Sequence, residues 1–110
     1  MSWYFEYKEW RIYPVNMTDT DRDAIGSEIR EAMAQGKSAG KKYATIILRS
    51  ITWTDTTSRI KVPYVWEIKV MLELASDSDL DAVVNEVAQV IDMMRSEEVK
   101  YASIRVNVTS

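Results

Sequence analysis

The sequence contains neither cysteine nor histidine. These two absences exclude disulfide bridges, thiolate zinc sites, cysteine nucleophiles and imidazole ligands, and they remove the most common general base. Long apolar runs are also absent, because no stretch approaches the length that is needed to cross a bilayer. We therefore expect a cytoplasmic protein that has no membrane segment and no cofactor.

The charge balance is slightly acidic, with 14 basic against 17 acidic side chains and a net charge of −3. No global positive field is available to attract a polyanion, so nucleic acid is an unfavoured partner. The 110 residues match one ordinary domain, and a hydrophobic content of 46% is sufficient for a two-layer core. We predict a single domain over residues 1–110.

An internal repeat emerges when the chain is compared with itself. A shift of 58 positions without gaps aligns the segment Thr18 to Ile25 with Ser76 to Val83, and Lys42 to Ile46 with Lys100 to Ile104. Eleven of the 52 overlaid positions are identical, where average composition would give about three. The match indicates a duplication with repeats at approximately 1–53 and 59–110.

Each repeat has the pattern of strand, helix and strand. Apolar residues alternate from Ile60 to Leu74 and again from Ala102 to Val108, as in strands with one buried face. This phase places Tyr64 and Trp66 in the core. Between these strands, a helix with one apolar side begins near an N-cap at Ser78 or a neighbouring aspartate. The first repeat predicts strands from Tyr4 to Tyr13 and from Lys42 to Trp53.

The predicted order is therefore β-α-β-β-α-β, which resembles the split β-α-β plan of ferredoxin-like folds. The resemblance implies a two-layer α+β sandwich, in which a four-stranded antiparallel sheet carries two helices on one face. It covers nearly the whole chain. Because this topology hosts unrelated functions, it implies no particular chemistry.

Two local motifs are candidates for ion binding. The alternating aspartates that begin at Asp19 and Asp77 are similar to the start of a calcium loop, but the glycine and the final glutamate of that loop are missing. We interpret them as residues that cap and solvate helix starts. Lys37, Lys41 and Lys42 are weak candidates for a phosphate contact.

Two further functional classes remain as alternatives. RNA-recognition domains share the predicted element order and stack bases on sheet aromatics, but the open face of the third strand offers Glu67 and Glu73 and no aromatic residue. A small enzyme or a ligand-binding regulator is the second alternative. We expect no catalysis, because no pair of carboxylates, lysines or hydroxyls stands in an unusual apolar context.

A protein-interaction or assembly role fits the remaining features best. Apolar side chains mixed with charges suit a protein interface, and the long central hairpin is predicted to extend beyond the sheet and to form a homodimer or a contact in a larger complex. Small accessory, adaptor or inhibitor proteins of phages and viruses have this profile. The predicted interface residues are Tyr43, Ile47, Arg49, Ile51, Trp53, Ile60, Val62, Val65 and Met71.

Overall fold

The computed structural model describes residues 5–53 and 63–110. Their elements, in chain order, are β1 (Tyr7–Ile12), a 3-10 turn (Pro14–Asn16), α1 (Asp19–Ser38), β2 (Tyr43–Trp53), β3 (Val65–Met71), α2 (Asp77–Ser96) and β4 (Val99–Thr109). The strands form one antiparallel sheet in the order β1-β4-β2-β3. Together with the two helices on one face of the sheet, they make the predicted two-layer α+β sandwich with β-α-β-β-α-β element order.

The core lies between the sheet and the helices. The alternation in β2 and β4 directs every second side chain to the helices, as the sequence pattern predicted. Six such residues are at most 1% exposed: Ala44, Ile46, Leu48, Ala102, Ile104 and Val106. From the helices, Ile29 and Met33 of α1 and Val87 and Ile91 of α2 pack against them.

The strand registers obey the same shift of 58 residues as the sequence. Tyr7 pairs with Asn107, and their counterparts under the shift, Val65 and Arg49, also pair with each other. The remaining β1–β4 pairs map onto β2–β3 pairs in the same way. Ile47 pairs with its own counterpart, Arg105. A pseudo-twofold axis therefore passes through this central pair.

The helix ends are also equivalent. Thr18 and Ser76 each form a capping box, because the hydroxyl accepts from the backbone N–H three residues later and the aspartate at that position accepts from the cap. The predicted N-cap at Ser78 or a neighbouring aspartate is therefore wrong. After the helices, Gly40 and Glu98 both adopt a positive φ, of 83° and 58°.

Close approach explains the glycines inside α1. A Cβ on Gly36 would lie 2.7 Å from Cγ1 of Val108 in β4, and one on Gly26 would lie 3.0 Å from Cγ1 of Val84 in α2. Gly26 therefore lets the two helices come together, which offsets its low helix propensity. Ion pairs also join the two helices. Arg22 lies 2.9 Å from the carboxylate of Asp92, and Arg95 lies 2.6 Å from that of Asp19.

The third strand differs from its predicted extent. It ends at Met71 because the chain turns there, and the N–H groups of Leu74 and Ala75 both bond the carbonyl of Met71. Leu74 is consequently 74% exposed, although the alternation had assigned it to the core. Tyr64 is exposed as well, whereas Trp66 is half-buried with the predicted orientation.

Candidate functional site

The sheet face that points away from the helices is uncovered by any described residue. Side chains from all four strands lie on it, in the alternating phase opposite to the core. Four of its side chains are basic and two are acidic: Arg11, Arg49, Lys69 and Arg105, with Glu9 and Glu67. The helices α1 and α2 instead contain ten acidic and four basic residues. The two faces of the molecule thus differ in charge.

The interface residues predicted in the paired parts of β2 and β3 lie on this face, and those of β3 also lie at an edge of the sheet. Tyr43, Ile47 and Arg49 lie on the open face of β2, which is an interior strand. Val65 and Met71 lie on β3, an edge strand, and are 61% and 57% exposed. Only this last pair is therefore placed where a neighbouring strand could add.

Ile51 stands at an irregularity of β2. Ser50 pairs with Ala102 and Thr52 with Tyr101, so that Ile51 has no direct counterpart in β4 and is half exposed. Beyond it, Trp53 pairs with Val99. This end of β2 therefore belongs to the sheet, and the prediction that it lies on a projecting arm is wrong. The predicted contacts of Ile60 and Val62, and of the Trp53 side chain, lie outside the described residues.

The three lysines do not converge on one point. Lys37 donates from Nζ to the backbone carbonyl of Ala75, and Lys41 forms an ion pair with Glu6 at 3.1 Å. Lys42 is exposed, and its backbone joins the sheet. These contacts give no common centre for a phosphate at this loop.

The outer edge of β3 presents backbone groups that no described strand pairs. On its inner side, the N–H of Ser50 donates to the carbonyl of Tyr64 at 3.0 Å, and the N–H of Leu72 donates to that of Lys42 at 2.8 Å. Since hydrogen-bonded positions alternate along an antiparallel strand, the even-numbered positions bond to β2. The N–H and C=O groups of Val65, Glu67, Lys69 and Met71 therefore point outward.

These four residues are self-complementary by chemical type when one copy of the strand is reversed against another, because apolar residues then meet apolar residues and the acid meets the base. An apolar residue stands at each end, at Val65 and Met71, and an acid and a base stand between them, at Glu67 and Lys69. On the helix side of the same strand, Trp66 and Ile68 are both half-buried. The edge is therefore apolar on its helix side, and on the open face it has an apolar residue at each end with one charge of each sign between them.

The edge of β1 has similar residues but a charged cover. Lys8 stands at the position that corresponds to Trp66, and its Nζ lies 2.9 Å from Oε1 of Glu28. The indole Nε1 of Trp10 donates to Oε2 of the same carboxylate at 3.2 Å. An inward-pointing charged group of this kind is one of the devices that prevent edge strands from pairing with other chains.

A depression of about 440 Å³ lies at one end of the open face. Arg11 and Arg49 flank Ser103 there, each paired with it across a strand boundary. Arg105 is neutralised by Glu9 at 3.0 Å, and this hydrogen bond raises the pKa of the arginine. Arg11 and Arg49 have no ion pair among the described residues.

The self-complementary order on β3 is present in the sequence, but period-two alternation alone does not indicate it. The cross-strand row of Arg11, Ser103 and Arg49 could not be predicted from local sequence patterns, because it depends on the order of the strands in the sheet. Within residues 5–53 and 63–110, no group of three His, Cys, Asp or Glu could hold a metal ion. In the same part of the chain, no helix is long and apolar enough to span a membrane.

No protein-family model matches the chain, and no curated protein matches it. The class is therefore defined by the fold, which is a two-layer α+β sandwich with internal pseudo-twofold symmetry.

Proposed function

We propose that this chain is a non-catalytic self-assembly module whose β3 edge pairs antiparallel with the same edge of a second copy. Two features of this edge favour such pairing: its side chains have a self-complementary order, and no described residue gives it a charged cover. Because one patch serves both partners, the assembly is a closed twofold dimer.

The register of this dimer follows from the residues. With Ile68 opposite Ile68 of the partner subunit, Val65 lies opposite Met71 of the partner subunit, and Glu67 lies opposite Lys69 of the partner subunit. These four positions carry the outward backbone groups, so they form the hydrogen-bonded pairs of the new ladder. Two opposite-charge pairs and two apolar pairs then contribute roughly 0.2–1 kcal/mol each.

The helix side of the joint adds apolar burial. In the same register, Trp66 lies opposite Val70 of the partner subunit. Trp66 and Ile68 are half-buried in the single chain, and the second copy covers the remainder of both side chains. Pairing of this kind joins the two sheets into one that is twice as wide, and it leaves the open face accessible in both copies.

The non-catalytic part of the proposal rests on the available chemistry. Histidine and cysteine are absent from the sequence. The arginines of the helices make ion pairs between α1 and α2, as Arg30 does with Asp81 at 2.8 Å. Such pairs hold the two helices together and position no group for proton transfer.

A charge-swap series tests the dimer by light-scattering mass as a function of concentration. The parent and the double variant Glu67→Lys/Lys69→Glu should both be dimers, because the swap restores both charge pairs. Lys69→Glu alone should raise the Kd of the dimer by about tenfold or more, because both charge pairs of the contact then place two carboxylates opposite each other. The matched control is Arg11→Glu at the corresponding position of β1, which should remain dimeric.

Two results would overturn the proposal. One is a parent that stays monomeric up to about 1 mM, because a dimer with a Kd above this concentration has a binding free energy weaker than about −4 kcal/mol. The other is a Kd of the dimer that is unchanged in Lys69→Glu. Far-ultraviolet circular dichroism of each variant shows whether it is folded.

A further inference from the structure

Two arginines face each other across a serine on the open sheet. Arg11 in β1 and Arg49 in β2 are both cross-strand partners of Ser103 in β4. Since adjacent strands are about 4.8 Å apart, the two arginine backbones are separated by roughly 10 Å. Long side chains from both sides can therefore reach one small group above the serine.

The charge of this pair is not balanced by a neighbour. The acid that precedes Arg11 by two positions, Glu9, bonds to Arg105 at 3.0 Å. Neither Arg11 nor Arg49 forms an ion pair or a side-chain hydrogen bond among the described residues. Two uncompensated cations on one row repel each other, and an anion between them removes the repulsion.

The surroundings give the arginines a shaped cavity. Tyr13 and Tyr101 stand edge to face, with ring centroids 5.3 Å apart, and both line the depression of about 440 Å³. Ile51 and Thr52 also line it, as does the ion pair between Glu9 and Arg105. Ser103, which is 7% exposed, forms the floor. The volume falls within the range of small-molecule sites and exceeds the size of a bare phosphate ion.

The other repeat provides an internal comparison. Under the shift of 58 residues, the positions of Arg11, Ser103 and Arg49 correspond to Lys69, Thr45 and Asn107. That row has one cation, and Lys69 lies 3.6 Å from Glu67. The duplication therefore produced the same backbone twice, but the uncompensated pair of arginines occurs at only one end.

The geometry points to a binding site for the phosphate monoester of a small molecule with an aromatic ring. The two guanidinium groups bind the phosphate, because their planar forks match its oxygens. The ring packs against Tyr13 and Tyr101. The site is separate from the proposed dimer contact, since neither arginine lies in β3.

Calorimetric titration with a nucleoside monophosphate tests this inference, in a buffer without phosphate. Arg11→Gln and Arg49→Gln should each raise the Kd by about tenfold or more, whereas Lys69→Gln should change it by less than about twofold. Inorganic phosphate should bind more weakly than the monophosphate, and the nucleoside without phosphate should give no heat.

Several outcomes would overturn it. One is no binding of the monophosphate at millimolar concentration. A second is equal binding of the nucleoside. A third is an equal loss of affinity for the monophosphate in all three variants, together with tighter binding of a single-stranded oligonucleotide. That result would indicate general electrostatic attraction of a polyanion. Binding that is retained in Lys69→Glu, at a protein concentration where light scattering shows a monomer, supports the site whether or not the dimer exists.

Discussion

The two edge strands, β1 and β3, correspond under the shift of 58 residues, yet the side chains on their helix sides differ. In β1, Lys8 and Trp10 both contact the carboxylate of Glu28. In β3, the corresponding positions are Trp66 and Ile68, while Glu86 on α2 corresponds to Glu28. Two differences, Lys8 against Trp66 and Trp10 against Ile68, thus distinguish the charged helix side of β1 from the apolar helix side of β3. The two repeats thus share their strand pairing but differ in a few side chains at their outer edges.

The difference between the two edges can be tested by introducing the lysine of β1 at the corresponding position of β3. Trp66→Lys should place an ammonium group near Glu86 and remove the apolar cover of the joint, so that the Kd of the dimer rises by about tenfold or more, equivalent to about 1.4 kcal/mol. Sedimentation equilibrium measures the change, and a cooperative thermal transition shows that the variant is folded.

The reciprocal variant, Lys8→Trp, tests the same difference without any change at Trp66. Lys8→Trp removes the ion pair with Glu28 and should allow β1 edges to pair as well, which gives assemblies larger than a dimer. If folded Trp66→Lys keeps the mass and the Kd of the parent, the charged cover is not what distinguishes the two edges.

Much of the fold was predictable from the sequence because its signals are local and repeated. Period-two alternation predicted which side chains of β2 and β4 are buried, including Ile46 and Ile104. The self-comparison predicted the correspondence that the registers then displayed. Boundaries were harder. Leu74 continues the alternation in sequence, but the chain has already turned after Met71.

Two further features could not be predicted from the sequence: the capping residue of α2 and the order of the strands. Ser76 and Ser78 are each followed three residues later by an aspartate, so the sequence offers two capping boxes, of which the structure uses the one with Ser76 and Asp79. The candidate sites depend on long-range pairing. Only the observed strand order places Arg11 and Arg49 on either side of Ser103, and no local pattern encodes it.

The residues that follow the two helices test the equivalence of the repeats. Gly40 and Glu98 correspond under the shift, and both have a positive φ. This conformation costs a non-glycine residue about 1 kcal/mol or more. Glu98→Gly should therefore raise the free energy of unfolding by up to about 1 kcal/mol, and Gly40→Ala should lower it by a similar amount. Urea denaturation measures both, and a loss of stability in Glu98→Gly would contradict the equivalence.

The smallest expected effect is a pH dependence that arises at the start of α2. The backbone N–H of Ser76 donates to the Asp79 carboxylate, and this bond, with a further contribution from the Ser76 hydroxyl, holds the pKa of Asp79 below its usual value. A carboxylate with a lowered pKa in the folded state stabilises the protein above its unfolded pKa, which is about 3.9. That stabilisation is lost as the pH falls through the folded pKa, so the melting temperature should decrease below about pH 4.

Two variants at this cap separate the causes. Asp79→Asn cannot titrate and should show a smaller decrease in melting temperature between pH 5 and pH 3, two values that bracket the ordinary aspartate pKa of about 3.9. Ser76→Ala keeps the backbone N–H, which is the larger cause. It should therefore retain most of the pH dependence while lowering the free energy of unfolding by about 1 kcal/mol at neutral pH. An unchanged acid response in Asp79→Asn would show that the dependence comes from another carboxylate, such as Asp19, whose pKa the hydrogen bond from Arg95 also lowers.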